Sequence, residues 1–180
     1  MTPEEAVKTL LRHIGENPER DGLQNTPKRV VKALKEMTSG YTTNIEELLA
    51  VKFDVNFDEM VVLNNIAFNS LCEHHMLPFV GTATVGYIPN EGVVGLSKLA
   101  RLVEAHAQRL QVQERMTQDI AQDLQHHLDP VGVGVIIKAH HQCMSCRGIR
   151  KSNTEMVTSA LTGAMKDNAA ARTEFLAFTK

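Results

Sequence analysis

The sequence predicts an α+β fold, and three observations carry that expectation. Helix signals fill the first fifty residues, β-rich segments begin near Met60, and two consecutive amphipathic helices then separate those strands from a second Val/Ile-rich run. Elements segregated in this order favour helices packed on one face of a mainly antiparallel sheet over an alternating parallel arrangement. The 180 residues are long enough to bury a core, and they divide into a helical segment over 1–55 and a main domain over 56–180.

Thr2-Pro3-Glu4-Glu5 combines an N-cap, a first-turn proline and a capping-box glutamate, and Ala6, Leu10, Leu11 and Ile14 follow at helical spacing before Gly15. Thr26-Pro27 repeats the device ahead of Val30, Val31, Leu34 and Met37, and a shorter helix is expected around Ile45 to Val51. Met60 to Leu71 and Phe79 to Ile88 have the composition and length of strands, and Pro89-Asn90-Glu91-Gly92 makes a turn. After Gly95, Leu96, Leu99, Val103, His106 and Leu110 recur with helical period, as do Met116, Ile120, Leu124 and Leu128 before Asp129-Pro130. Val131 to Ala139 reads as a covered strand, Glu155 to Leu161 as another, and Asn168 to Phe178 as a closing helix.

Nineteen basic against twenty-one acidic side chains give a net charge of −2, so nothing global favours nucleic acid or an anionic membrane as a partner. No run of about 18 apolar residues occurs, and the start lacks a basic region ahead of an apolar one, so the chain reads as soluble and cytoplasmic. In a reducing compartment its three cysteines persist as thiols or bind metal.

Two clusters, Cys72-Glu73-His74-His75 and His141-Gln142-Cys143, supply thiolates and imidazoles from distant parts of the chain. A catalytic zinc takes three such ligands and leaves its fourth position to water. Cys72, His75 and Cys143 can be those three, with His74 and His141 beside them as acid–base groups. Cys146 opens a second possibility, a closed Cys3His site that staples the fold and activates nothing; spacing leaves both standing. A nucleobase deaminase is a third reading, but its H-x-E and P-C-x-x-C pattern fits poorly, because Glu73 adjoins Cys72 and Gln142 stands where proline belongs.

The other histidines have plainer readings. His106 faces the apolar side of its helix, His126 and His127 sit in a last helical turn, His13 is on the surface, and strand alternation turns His140 away from His141. Lys138, Arg147, Arg150 and Lys151 form a stretch without acidic residues that is expected to concentrate basic charge around the metal cluster, and Ser97, Lys98 and Arg101 lie near a helix start, where amides and guanidinium groups attract phosphate. Gln113 and Glu114 offer the acceptor and donor set that suits a guanine edge.

Taken in order, these pieces resemble the GTP cyclohydrolase I family. The resemblance rests on Leu71 to Phe79, Gly95 to Arg101, Gln111 to Thr117, and His141 to Met144 with Arg147-Gly148. It implies a tunnelling fold, an antiparallel sheet with two antiparallel helices on one face, preceded by N-terminal helices, so that 56–180 is the catalytic domain. It further implies homodecamers with active sites between subunits. By family pattern Cys72, His75 and Cys143 hold Zn2+ and Cys146 does not; His74 and His141 are catalytic; Ser97, Lys98, Arg101 and Arg147 meet triphosphate; Gln113 and Glu114 meet guanine. The implied reaction opens the imidazole ring of GTP at C8, releases formate and yields 7,8-dihydroneopterin triphosphate, a starting point for folate, biopterin-like compounds or deazaguanines. Lys138, Cys146 and Met165 depart from the residues common in the family.

Overall fold

A computed structural model describes residues 1–179, and the chain forms two compact units, Met1–Ser39 and the residues from Gly40 onward. The first unit is a pair of helices, α1 (Pro3–His13) and α2 (Thr26–Met37). The capping box at its start is complete: the Thr2 hydroxyl accepts from the Glu5 amide at 3.2 Å and the Glu5 carboxylate accepts from the Thr2 amide at 2.6 Å. Pro27 starts α2 and is its one buried residue.

The second unit begins with a 3-10 turn and a short helix, α3 (Ile45–Leu49), whose Leu49 is buried. Two-residue strands β1 (Lys52–Phe53) and β4 (Val93–Val94) pair with each other, a small sheet that residue composition did not suggest. The main sheet holds β2 (Val61–Cys72), β3 (Pro78–Ile88), β5 (Leu110–Gln111), β6 (Gly132–His141) and β7 (Met156–Thr162), in the order β5-β2-β3-β6-β7. All its pairings are antiparallel except the short parallel contact of β5 with β2. The α+β expectation therefore holds, with strand and helix limits close to those read from periodicity.

Two helices, α4 (Leu96–Ala107) and α5 (Gln113–Leu128), bury Leu99, Leu102, Val103, Met116, Ile120 and Leu124 in one cluster with Val133, Val135, Ile137 and Ala139 of β6. Odd-numbered residues of β3 and β6 thus face the helices. In β2 the parity changes: Leu63 pairs with Val85 but Ile66 pairs with Ala83, so Asn64 and Asn65 together oppose Thr84. Asn65 takes the left-handed conformation, φ 56°, that Asn tolerates better than most residues and that bulges use. The extra residue lets Val61, Leu63, Ile66, Phe68 and Cys72 all join the core under the helices.

The opposite face carries a second, smaller cluster. After α6 (Gln142–Ser145) and β7, the helices α7 (Gly163–Asp167) and α8 (Ala169–Phe178) bring Met165 and Phe175 against the even-numbered side, both fully buried. The Phe175 ring needs glycine beneath it: a Cβ would stand 2.9 Å from that ring at Gly86 and 2.6 Å at Gly134.

Between α4 and α5 lies one buried polar joint. His106, 3% exposed, has its Nε2 at 2.7 Å from the Asp123 carboxylate, while its Nδ1 has no hydrogen-bond partner among the described residues. Burial pushes the Asp123 carboxyl up, but the hydrogen bond and charge of His106, with His127 and Arg109 nearby, outweigh it and hold the group below its ordinary range. A lowered folded-state pKa gives stability that is present above the unfolded value and lost as pH falls through the folded one. Asp123→Ala is therefore expected to cost about 1–3 kcal/mol at neutral pH. In urea unfolding that gap should narrow below pH ~4; a gap unchanged down to pH ~2 would dismiss the pair as its source.

Candidate functional site

The β2–β3 hairpin builds half of the site. Cys72 closes β2 with its side chain buried on the helix face, and the chain reverses through Glu73 to Leu77. The Cys72 amide donates to the Leu77 carbonyl at 2.9 Å, and its carbonyl accepts from the Met76 amide at 2.8 Å. Met76, φ 53°, makes the turn tight enough to swing His75 back toward Cys72. Arg115 at the start of α5 holds this loop from outside, bonding the Glu73 carboxylate, and that bond keeps Glu73 below the ordinary carboxylate range. The Glu73 amide also donates to the Gln111 carbonyl at 3.0 Å.

The other half arrives through sheet register. β3 and β6 pair with Phe79 opposite His141, which sets the end of β6 beside the start of β3 and hence beside the hairpin loop. Strand geometry ends at His141, and Cys143 lies in the helical turn α6, not on a continuing strand. Strand alternation therefore does not relate His141 to Cys143; the turn of α6 aims the thiol. The ligand atoms of Cys72, His75 and Cys143 all lie within 4.8 Å of one another. Two sulfurs and an imidazole nitrogen are a donor set that suits zinc, and three ligands leave room for a fourth. Cys146, exposed at the end of α6, is outside that group. Burial and the adjacent Cys72 push the Cys143 thiol up. Arg147 Nη1 donates to His75 Nε2 at 3.0 Å, a contact that a metal on that nitrogen would displace.

His141 is held from two sides. Its ring stacks on Phe79, centroids 4.6 Å apart and planes 3° from parallel. Its Nε2 lies 2.8 Å from Gln113 Oε1. The Gln113 Nε2 is 3.0 Å from the carbonyls of Ile137 and Met156 and 3.1 Å from the Thr158 hydroxyl. Carbonyl oxygens only accept, so the amide nitrogen must face them and the amide oxygen must face His141. The imidazole Nε2 accordingly carries the hydrogen, and Nδ1 is the nitrogen left to exchange a proton. Burial pushes the His141 pKa down, with Glu114 pulling weakly the other way. Phe79 and Thr158 had no mark in the sequence as site residues; only sheet register reveals them.

His74 sits in the loop, exposed, with Nδ1 3.7 Å from Cys72 Sγ. Glu114 lines an open groove of about 460 Å³ between α5 and β7, together with Gln118, Thr158 and Lys166. Gln113, 1% exposed, has its amide engaged as described. The remaining cations divide. Lys138 is on the opposite face of the sheet, where its Nζ donates to the Thr179 carbonyl, so the basic stretch does not gather wholly round the cysteines. Ser97, Lys98 and Arg101 lie in the first half of α4, which starts beside the Val61–Tyr87 end of the hairpin, since the Tyr87 hydroxyl accepts from the Val94 amide at 2.9 Å. Cys72 is at the other end, next to β5, which follows α4. At a rise of about 1.5 Å per residue, Ser97 is about 15 Å back along the helix from that end. One copy of the chain does not bring the α4 cations to the cysteines.

Comparison with known proteins agrees with these motifs. The family model of GTP cyclohydrolase I matches residues 3–180. The GTP cyclohydrolase 1 of Gloeobacter violaceus is 56% identical over 173 residues, covering 96% of this chain and 81% of that protein. That of Campylobacter jejuni subsp. jejuni serotype O:6 is 53% identical over 173 residues, covering 96% of this chain and 91% of the relative. A crystal structure of the archaeosine synthase QueF-Like in its apo form aligns with a TM-score of 0.48 at 20% identity, over 58% of this chain and 93% of that one.

The Gln113 joint can be tested on its own. Gln113→Leu takes the side-chain donor from the Ile137 and Met156 carbonyls and the acceptor from the His141 N–H, while the Thr158 hydroxyl keeps Thr117 as a partner; at about 1–3 kcal/mol for each buried group left unbonded it should destabilise the fold by at least about 2 kcal/mol. A change under about 0.5 kcal/mol in urea unfolding would mean these groups find other partners.

Proposed function

We propose, from the premise that the chain belongs to the GTP cyclohydrolase I family, that it is a zinc-dependent enzyme converting GTP to formate and 7,8-dihydroneopterin triphosphate. The observation that carries the reading is the convergence of Cys72, His75 and Cys143 beside a histidine whose tautomer the fold dictates. Bound zinc supplies Lewis acidity, bringing the pKa of water it holds toward neutrality.

The chain's own residues do the rest. His141 starts neutral because burial disfavours its charge, so Nδ1 takes a proton from the water attacking C8 and passes it to N7 as the imidazole ring opens. The Gln113 clamp and the Phe79 stack keep that ring from turning during the transfer, which spares the reaction the entropy of aligning it. His74, exposed in the loop, is free to move protons during the later sugar rearrangement. Glu114 takes the N–H edge of guanine from the groove, whereas Gln113, buried with its amide spent on β6, β7 and His141, acts on the base only through the histidine it orients. Arg147, whose contact with His75 a metal on Nε2 would replace, joins Ser97, Lys98 and Arg101 on the triphosphate, whose binding energy holds a base that reacts at a distant carbon.

Because Ser97, Lys98 and Arg101 stand apart from the cysteines in one chain, the phosphate site is completed by a neighbouring copy. This supports a tunnelling-fold ring, by family resemblance a homodecamer, with active sites between subunits. Among the described residues no helix is long and apolar enough to cross a membrane, in keeping with the cytoplasmic, nucleic-acid-free enzyme that we propose. The position of Cys146 outside the three-ligand group speaks against the closed Cys3His alternative.

Zinc-loaded protein incubated with GTP should release formate and gain dihydropterin absorbance in parallel, and ammonia without formate would instead indicate a deaminase. His141→Ala should retain one zinc per chain while losing at least about a hundredfold in turnover; normal turnover would remove it from the mechanism. Shared sites make a second prediction: co-refolding inactive His141→Ala with inactive Lys98→Met subunits should recover activity. The doubly substituted chain should remain inactive when mixed with itself. Failure of two well-assembled single variants to complement would place each site within one chain.

A further inference from the structure

Cys143-Met144-Ser145-Cys146 sets a second thiol three places beyond a metal ligand and outside the three-ligand group. Both cysteines belong to the turn of α6: Cys143 is its second residue, half-buried beside Cys72 and His75, and Cys146 caps its end, exposed. The turn is helical through Cys146, with φ −85° and ψ −14° there and the Cys146 amide donating to the Gln142 carbonyl at 3.0 Å. Residues three apart in such a turn share one face, and helix geometry puts their Cα atoms about 5 Å apart. A disulfide spans Cα separations of about 4.4–6.8 Å. The Cβ atoms, about 5–6 Å apart on a regular helix, must close to about 4 Å to be bridged. Little opposes that movement, because α6 is only four residues long and residues 146–151 behind it are exposed. Gly148 follows at φ 60°, where a residue without Cβ turns freely.

Cys146 is also the sulfur that an oxidant meets first, since Cys72 is buried and Cys143 half-buried. Arg147, Arg150 and Lys151 follow it, all exposed, and no acidic residue occurs between Lys138 and Thr154, so the approach is positive and draws an anionic reagent. We propose that Cys143 and Cys146 form a reversible disulfide that disconnects the metal centre, the oxidant being an anionic low-molecular-weight disulfide. This rests on the three-ligand zinc centre proposed above. The Cys146 thiolate attacks one sulfur of the oxidant, RSSR, forming a mixed disulfide and expelling one RS−; the Cys143 thiolate then attacks the Cys146 sulfur, closing the intrachain bond and expelling the second RS−. Two electrons pass from the chain to the oxidant: two protein thiolates become one disulfide, and one external disulfide becomes two thiolates. Closure draws the Cys143 sulfur toward Cys146 and away from Cys72 and His75, leaving two ligands where a catalytic zinc takes three. A dithiol reductant reverses the step. The rival bond between Cys72 and Cys143 requires the oxidant to enter at a sulfur that the fold covers.

The test treats zinc-loaded, full-length protein with glutathione disulfide, following zinc release with a chromophoric chelator and mapping tryptic peptides without reductant. Wild type should release its zinc only after the oxidant is added, and the peptide Ala139–Arg147, which holds both cysteines, should become lighter by two hydrogens. Dithiothreitol with added zinc should restore metal and turnover together. Cys146→Ser should bind zinc as wild type does before treatment and then release it at least about tenfold more slowly. Equal release from the two proteins, a bond joining Cys72 to Cys143, a mixed disulfide at Cys146 with zinc retained, or no release at all would overturn the switch while leaving the zinc centre standing. Untreated Cys146→Ser that folds but fails to hold zinc would overturn the three-ligand centre itself, and the switch with it.

Discussion

One extra residue in β2 decides which face of the sheet Cys72 serves. A strand alternates strictly, so if Asn64 and Asn65 did not share Thr84 as their partner, residues after them would face the other way from Leu63. With the bulge, Ile66, Phe68 and Cys72 stay on the helix side, where α5 presents Gln113 and β6 presents His141. Without it, the first thiol would point away from the second.

From that placement the site is assembled by register and by buried hydrogen bonds, with little left to side-chain choice. Phe79 is fully buried and sits opposite His141, so its burial, about 1.5–3 kcal/mol for a large apolar side chain, also flattens the histidine against it. Gln113 ties α5 to β6 and β7 through carbonyls that cannot serve as donors, and this fixes the direction of its own amide. Tautomer, ring plane and strand pairing thus have a common origin in satisfying buried polar groups. His74, Glu114 and Arg147, by contrast, are exposed.

Much of this was legible in the residues. Helical periodicity located α4 and α5, β-rich composition located β2, β3, β6 and β7, and the spacing of Cys72, His75 and Cys143 named a ligand set that the fold does bring together. Even the bulge leaves a trace, since the apolar alternation of Val61 and Leu63 resumes out of phase at Ile66 and Phe68. What composition could not give was anything made by pairing distant segments: the two-residue strands, the Phe79 stack, the three acceptors around Gln113. The turn of α6 was hidden because four residues are too few to show a period. Lys138 misled for a related reason, because charge along the chain does not reveal which face of a strand carries it.

The central claim is an open metal centre of two sulfurs and one imidazole, and the coordination shell of the loaded protein tests it most directly. X-ray absorption at the zinc edge should give two sulfurs at about 2.3 Å with nitrogen or oxygen ligands at about 2.0–2.1 Å. Three sulfurs would mean that Cys146 closes the site, which would contradict the account and leave no position for water.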